Sequence, residues 1–435
     1  LPTMFGFMSQ TLYDLVDMAW IGRISSEAVA SVTIFTTIFW LVETLNEIIG
    51  TGSVSLISQS FGAGDRARTD KVIEQVVTFK ALVALIAALF LVLFLKPLIG
   101  FFSDDPAVRQ SALDYGYIRI FFLPIMFSSY TVNTALRCVG DAKKPMIIML
   151  CASVLNIFLD PLLMFDIIPG TSIHGLGMGV FGAALATVIS TCAAFLTGFI
   201  ILFSGKSRVH PRVSRLFCLD WSIDRKIFTI GLPSGIEMLS RNGAQFVTLK
   251  FISMFGTVAV AAIGIGMRLM GLAFMPLVGL MTGAGAIVGQ NLGAENIDRA
   301  DRTARASALF GGGLMAVLFI VVMLFPDGIM RIFVSDADVV AAGIPMIRIV
   351  SIGMIAVGVT FGYSAVFTGS GHLVPFSVSS ILSRWAFQIP FLFVVLVLYH
   401  GSMTMVWLSF MVADISELFI ILFAYRRGKW RTMRV

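Results

Sequence analysis

Charge is scarce in this chain. Of its 435 residues only 13% are Asp, Glu, Lys or Arg, whereas 57% are hydrophobic and the mean hydropathy is +0.93. A water-facing domain carries about 25% charged residues, so a cytosolic enzyme and a disordered chain are both excluded. Cysteine and histidine are also sparse. Cys138, Cys151, Cys192 and Cys218 form no CxxC pair, and none pairs with His174, His210, His372 or His400 at metal-ligand spacing. No zinc or haem chemistry is expected, and no cofactor. The glycine runs GTGS (50–53), GAGA (283–286) and GGG (311–313) are not followed by the Lys and Ser/Thr of a phosphate-cradling loop. They favour close helix packing instead. The alternation of a porin-like barrel is missing. So is a signal peptide, and because the chain opens at Leu1-Pro2 a short upstream segment is expected.

What is present is a series of long apolar runs. Ala81–Leu95, Ala306–Pro326 and Ile349–Ser383 carry no Asp, Glu, Lys or Arg and approach or exceed the ~20 residues that cross a bilayer core. Breaks at charged residues and at Gly/Pro predict about twelve spans. These are 1–22, 29–58, 72–102, 107–137, 144–166, 176–204, 226–251, 258–290, 302–325, 339–368, 374–399 and 403–425. The expected fold is an all-α membrane protein.

The Lys/Arg distribution predicts orientation. Connections after even-numbered spans hold Arg66, Arg68 and Lys71; Arg137, Lys143 and Lys144; and Arg299, Arg302 and Arg305. The central linker adds Lys206, Arg208, Arg212, Arg215, Arg225 and Lys226, and the tail runs from Arg426 to Arg434. The opposite loops offer little beyond Arg23, Lys96, Arg109 and Arg331. Both termini and the linker are therefore placed in the cytoplasm of a multi-pass protein of the cell's inner (plasma) membrane. The net charge of +6 needs no nucleic-acid partner.

The halves repeat each other at an offset near 231. SQSFGAGDRARTD (58–70) aligns with GQNLGAENIDRAD (289–301), SEAVASVTI (26–34) with TVAVAAIGI (257–265), and Gly140 falls on Gly371. Six spans separate equivalent points, so both repeats share one orientation. The expected division is an acidic N-terminal lobe (1–204), a basic linker (205–225) and a C-terminal lobe with basic tail (226–435). Transporters often bind substrate at the interface of such repeats.

Polar residues within the spans are distributed unequally. The first half carries Asp14, Asp17, Glu43, Glu47, Asn156 and Asp160, whereas Asp17 aligns with Thr248 and Asp160 falls near Ile389. The second half has Arg241, Lys250, Arg268 and Arg384, with Glu237 as its expected chief buried acid; the basic groups are either counter-ions or span-end anchors. An ionised Asp at a helix centre costs about 2.5–3.5 kcal/mol on insertion scales, so these acids should share a wet cavity or bind cations. Gln10, Asp14 and Asp17 lie on one helical face, and Asn156 and Asp160 are one turn apart. Pro161 removes a backbone hydrogen bond beside them. Two carboxylates, a carboxamide and a loosened carbonyl suit a cation site or a shared proton. For Asp14 the alternative is a structural or lipid-interface position. Glu43 and Glu47, also one turn apart, either line the cavity or serve structure.

QTLYDLVDMAWIG (10–22), GAGDRARTDK (62–71), Asn133-x-x-Leu136-Arg137 with Gly140, Asp141 and Pro145, LNIFLDPLLMF (155–165) and GQNLGAENIDRA (289–300) together resemble multidrug and toxic compound extrusion (MATE) transporters. The resemblance runs nearly end to end and is greatest to the prokaryotic branch with an Asp/Asn/Asp site in its N-terminal lobe. It implies twelve helices in two six-helix lobes around a central cleft. It also implies exchange of H⁺ or Na⁺ for cationic amphipathic drugs by alternating access. Asp17, Asn156, Asp160 and Thr187 would couple the cation, with Na⁺ a candidate metal at the first three and Pro2 a bending point of the first helix. The connection around Pro169–His174 is longer than that pattern, which leaves the Thr187 spacing open. Gln10, Tyr13, Asp14, Glu43 and Glu47 are candidates to line the cavity or contact substrate, although Asp14, Glu43 and Glu47 are not general features of the family. The protein is expected to act as a monomer on small-molecule drugs within the lipid bilayer.

Two other classes compete with an exporter. A flippase for a lipid-linked precursor would favour Arg-rich cavity walls, and the acidic first lobe argues against it. An intramembrane enzyme would need a Ser/His or paired-Asp motif at membrane depth. Asp17 and Asp160 imitate such a pair, but the aspartyl motifs are missing, so no enzyme is expected.

Overall fold

The computed structural model describes residues 1–334 and 336–435. The first half contains α1 (Pro2–Ile21), α2 (Ser26–Gly62), α3 (Arg66–Phe102), α4 (Pro106–Phe121), α5 (Leu123–Cys138), α6 (Lys143–Met164) and α7 (Gly179–Phe203). The second contains α8 (Trp221–Ser253), α9 (Thr257–Gly293), α10 (Ile297–Leu324), α11 (Pro326–Phe333), α12 (Ala337–Ser370), α13 (Val374–Leu382), α14 (Ile389–Phe393) and α15 (Met403–Arg427). Among the described residues there is no strand, only an isolated bridge between Ile167 and His174. Among the described residues nine segments, counting Val374–Leu398 as one, are long and apolar enough to cross a membrane. On α3 the side chains Leu85, Ile86, Leu89, Phe90 and Leu93 are all exposed. An uncovered apolar face of that length belongs in lipid. The chain is an integral membrane protein.

Two spans differ from their expected form. The 107–137 stretch divides at Phe122, because Pro124 has no N–H to continue the ladder and so stands in the first turn of α5. The 374–399 stretch is helical throughout but changes winding. Ser383–Gln388 and Val394–Leu398 are π-helical and flank α14, which begins just before Pro390. The wider winding accommodates a proline without ending the helix.

The chain forms two compact units. One is Pro2–Phe61 with Asp65–Thr229; the other is Ile230–Val435 with Leu1 and Gly62–Gly64. In the first, α6 packs against α1 and α7, and Phe35, Leu91, Leu95, Tyr115 and Phe127 lie in its core. In the second, α12 packs against α9, α10 and α15.

The repeat is written into the backbone. Asp65 caps α3 by accepting the Arg68 N–H at 2.9 Å, and its equivalent Asn296 caps α10 by accepting the Arg299 N–H at 3.1 Å. The preceding residues, Gly64 and Glu295, both have positive φ, +78° and +58°. Asp105 and Asp336 likewise cap α4 and α12. Gly140 and Gly371 both take the left-handed conformation, at +83° and +75°.

Candidate cation site

Asp17 comes from the last third of α1, Asn156 and Asp160 from consecutive turns of α6, and Thr187 from α7. Their exposures are 8%, 1%, 0% and 4%. Asn156 Nδ2 donates to Asp160 Oδ1 at 3.2 Å, so the i, i+4 spacing makes the pair expected of it. Asp17 lies within Coulombic reach of Asp160. Among the described residues, Asp17 Oδ1, Asn156 Oδ1 and Asp160 Oδ2 are buried without a hydrogen-bond donor.

Orphaned acceptors of this kind are costly, about 1–3 kcal/mol each and more when charged. On helices that pack against each other, such oxygens are groups that a proton or a cation would stabilise. Thr187 uses its hydroxyl hydrogen within its own helix, donating to Ala183 O at 3.1 Å, which leaves the oxygen as an acceptor. Among the described residues no group of three or more His, Cys, Asp or Glu could hold a metal ion. A sodium ion here would draw on amide and hydroxyl oxygens as well as the two carboxylates.

The long connection after α6 is ordered by its own backbone. Leu176, Gly177 and Met178 donate to the carbonyls of Leu162, Phe165 and Leu163 at the end of α6, at 2.8–3.1 Å. At Gly182 a Cβ would come within 2.7 Å of Leu163 O, so only glycine lets α7 approach α6 this closely.

The remaining candidates separate. Gln10 and Asp14 share the Asp17 face but are exposed, and Tyr13 is half-buried. Glu43 accepts from Asn46 Nδ2 at 2.9 Å, and both Glu43 and Glu47 lie within Coulombic reach of Lys80. Pro2 is the first helical residue of α1. Its repeat partner Pro233 lies inside α8, well beyond that helix's start.

Two charged residues, Arg119 and Lys80, gain their significance only from the fold. Arg119 on α4 is within Coulombic reach of Asp17 and Asp14, donates to Tyr115 OH at 2.8 Å, and stands over the Phe39 ring at 5.2 Å. Lys80 on α3 is fully covered, with its ammonium 4.4 Å from the Tyr130 ring centroid. Their signal was available as a lone cation within an apolar span, which is costly unless used.

The second unit corrects the expectation that Glu237 is its chief buried acid, because Glu237, Asp414 and Glu417 are all buried, at 8%, 4% and 4% exposure. Arg241 pairs with Glu237 at 2.6 Å and with Glu417 at 3.7 Å, and Arg384 pairs with Asp414 at 4.0 Å. Ser380 Oγ donates to Glu237 Oε1 at 2.7 Å. Arg241 and Arg384 are therefore counter-ions, whereas Lys250 and Arg268 are exposed.

An all-helical membrane protein of two like halves, with a carboxylate–carboxamide pair buried in one of them, has the build of a secondary transporter. The chain belongs to the MatE family, whose model matches residues 2–162 and again 233–394, at the offset of the repeat. It is 26% identical to the probable multidrug resistance protein YoeA of Bacillus subtilis, covering all of this chain and 93% of that protein. The multidrug export protein MepA of Staphylococcus aureus is 25% identical, with 98% and 92% covered. A solved MATE structure in its straight conformation superposes with a TM-score of 0.90 at 23% identity, covering 98% of this chain and 94% of that one.

Proposed function

We propose that this transporter is a secondary active multidrug exporter, exchanging H⁺ or Na⁺ for cationic amphipathic drugs by alternating access. The observation that carries the reading is the set of buried, donor-less oxygens on Asp17, Asn156 and Asp160. A proton on either carboxyl would supply the missing donor, and Na⁺ would supply the missing charge. The family's members are transporters, not enzymes, and the relatives above are named for multidrug resistance and export. The lipid-linked precursor flippase finds no support in these comparisons.

In this reading Asp17 and Asp160 alternate between cation-loaded and empty states, Asn156 holds the Asp160 carboxyl in place, and Thr187 adds an oxygen. The N-terminal lobe (1–204) couples the cation, a basic linker (205–225) lies at the cytoplasmic face, and the C-terminal lobe (226–435) completes the drug path. Bending at Pro2 would let α1 respond to loading. The protein works as a monomer in the plasma membrane with both termini cytoplasmic.

Efflux from proteoliposomes under separately imposed pH and Na⁺ gradients tests the exchange. Export driven by one gradient identifies the ion, and export indifferent to both overturns the reading. Labelling exposed Cys218 with an impermeant maleimide, from outside cells and in inverted vesicles, tests the orientation separately.

A further inference from the structure

The linker between α7 and α8 is strapped along the polar start of α3. Asp70, Lys71, Glu74, Gln75 and Thr78 recur there at helical spacing. Asp70 Oδ1 accepts the His210 N–H at 2.9 Å, Glu74 Oε1 accepts the Arg212 N–H at 2.6 Å, and Gln75 Oε1 accepts the Asp220 N–H at 2.8 Å. Gln75 Nε2 and Thr78 Oγ1 donate to the Cys218 and Leu216 carbonyls. Lys71 pairs with Asp220 at 2.6 Å.

Beside this strap an open cavity of about 480 Å³ lies between the first turns of α3 and α8, lined by Arg68, Lys71, Arg215, Lys226, Asp65 and Asp220. Both acids are already engaged. Asp65 caps α3, while Asp220 accepts from Lys71 and from the Ser222 N–H at 3.0 Å. The hydrogen bond from Lys71 holds the Asp220 carboxyl below its usual range, so it remains ionised and matched to that lysine. Among the described residues the side chains of Arg215 and Lys226 form no ion pair, which leaves the cavity with surplus positive charge. The same segment carries uncovered apolar groups: Phe217 is 88% exposed and Trp221 73%, with Val213 and Leu219 also exposed.

We propose that this cavity binds the phosphate headgroup of an anionic phospholipid of the cytoplasmic leaflet, while Phe217 and Trp221 enter the interface beside it. Basic pockets beside cytoplasmic helix ends suit such headgroups, and tryptophan favours the headgroup level. Stable peripheral attachment takes an apolar insertion together with a basic patch, and the linker carries both. A soluble phosphate compound would use the cavity but gain nothing from exposed aromatic groups, which is why lipid is the favoured occupant. From the exporter reading the proposal takes only the cytoplasmic placement of the linker.

The test is native mass spectrometry of the full chain released from nanodiscs of equal phosphatidylcholine and phosphatidylglycerol. Wild type should retain phosphatidylglycerol preferentially. In Arg215→Gln/Lys226→Gln that preference should fall roughly thirty-fold, at about a factor of five for each surface cation. In Phe217→Ser/Trp221→Ser total lipid retention should drop with the headgroup preference kept. Both pairs are exposed, so folding is not at risk. Equal preference in wild type and the charge variant overturns the proposal. So does thermal protection by inorganic phosphate in detergent that matches protection by phosphatidylglycerol vesicles and persists in the aromatic variant. Failure of the Cys218 labelling to place the linker in the cytoplasm would remove the leaflet assignment, while lipid retention would still be read independently of any transport assay.

Discussion

A carboxyl group inside a membrane protein is retained at a cost, and Asp160 illustrates what that cost permits. Its side chain is fully covered, one oxygen faces Asn156, and among the described residues the other has no donor. Asp160→Asn keeps the volume and adds an N–H donor while removing the titratable group. Gradient-driven efflux should fall below about one tenth of wild type, a change that ~1.4 kcal/mol suffices to produce. Melting temperature should stay level or rise, since relieving an orphaned acceptor is worth about 1 kcal/mol. Asp17→Asn should behave alike. Wild-type drug resistance in either variant would remove these residues from the coupling step. That both acids are buried was legible in the sequence, because each interrupts a long apolar run. What separates Asp17 from Asp14 was not, since periodicity assigns both to one face but cannot say how far a neighbouring helix covers it. Arg119 escaped for a related reason, because its link to Asp17 depends on where α4 packs.

At the scale of elements, glycine spacing decides how near two helices come. In α10 the run Gly311–Gly313 marks a packing face in the sequence, and the structure divides the work unequally. A Cβ at Gly311 would meet Gly358 O of α12 at 2.3 Å and at Gly312 would meet Val359 Cγ2 at 2.7 Å, whereas at Gly313 nothing lies within 4 Å. Gly311→Val should therefore destabilise by about 1–3 kcal/mol through overpacking. Gly313→Ala should be neutral or slightly stabilising, because alanine is the better helix former. Thermal melts in detergent check both, and equal losses would contradict the packing described. The positions of most apolar spans were legible from run length, though not the division of 107–137 or the short α11, and the repeat was legible from a constant offset whose caps the structure reproduces at Asp65 and Asn296. The π-helical winding around α14 was not legible. Pro390 signals a disturbance, but whether a helix ends, kinks or widens there depends on tertiary packing.

For the whole molecule, the question is how two lobes of one ancestry come to differ. Thr248 occupies the place of Asp17, is also buried at 3% exposure, and donates its hydroxyl to Ala244 O at 2.9 Å. Thr248→Ala removes a satisfied local bond and no charge, so transport should fall far less than in Asp17→Asn. Equal losses in efflux would mean that the coupling site is shared between the lobes. Exchange further requires that cation and drug oppose one another. A ligand shifts a conformational equilibrium only through its different affinity for the two states, and the effect of cation on drug binding must equal that of drug on cation binding. If Asp17 and Asp160 hold the cation, loading them changes how α1 packs on α6. Drug affinity should then decline as the site fills, and cation affinity should decline by the same factor when drug is bound. Equilibrium drug binding to purified protein, measured across pH at fixed Na⁺ and across Na⁺ at fixed pH, reads this directly. In Asp17→Asn the mutual dependence should vanish even where drug still binds. A wild-type affinity that ignores both ions would mean that export here is not driven through these carboxylates.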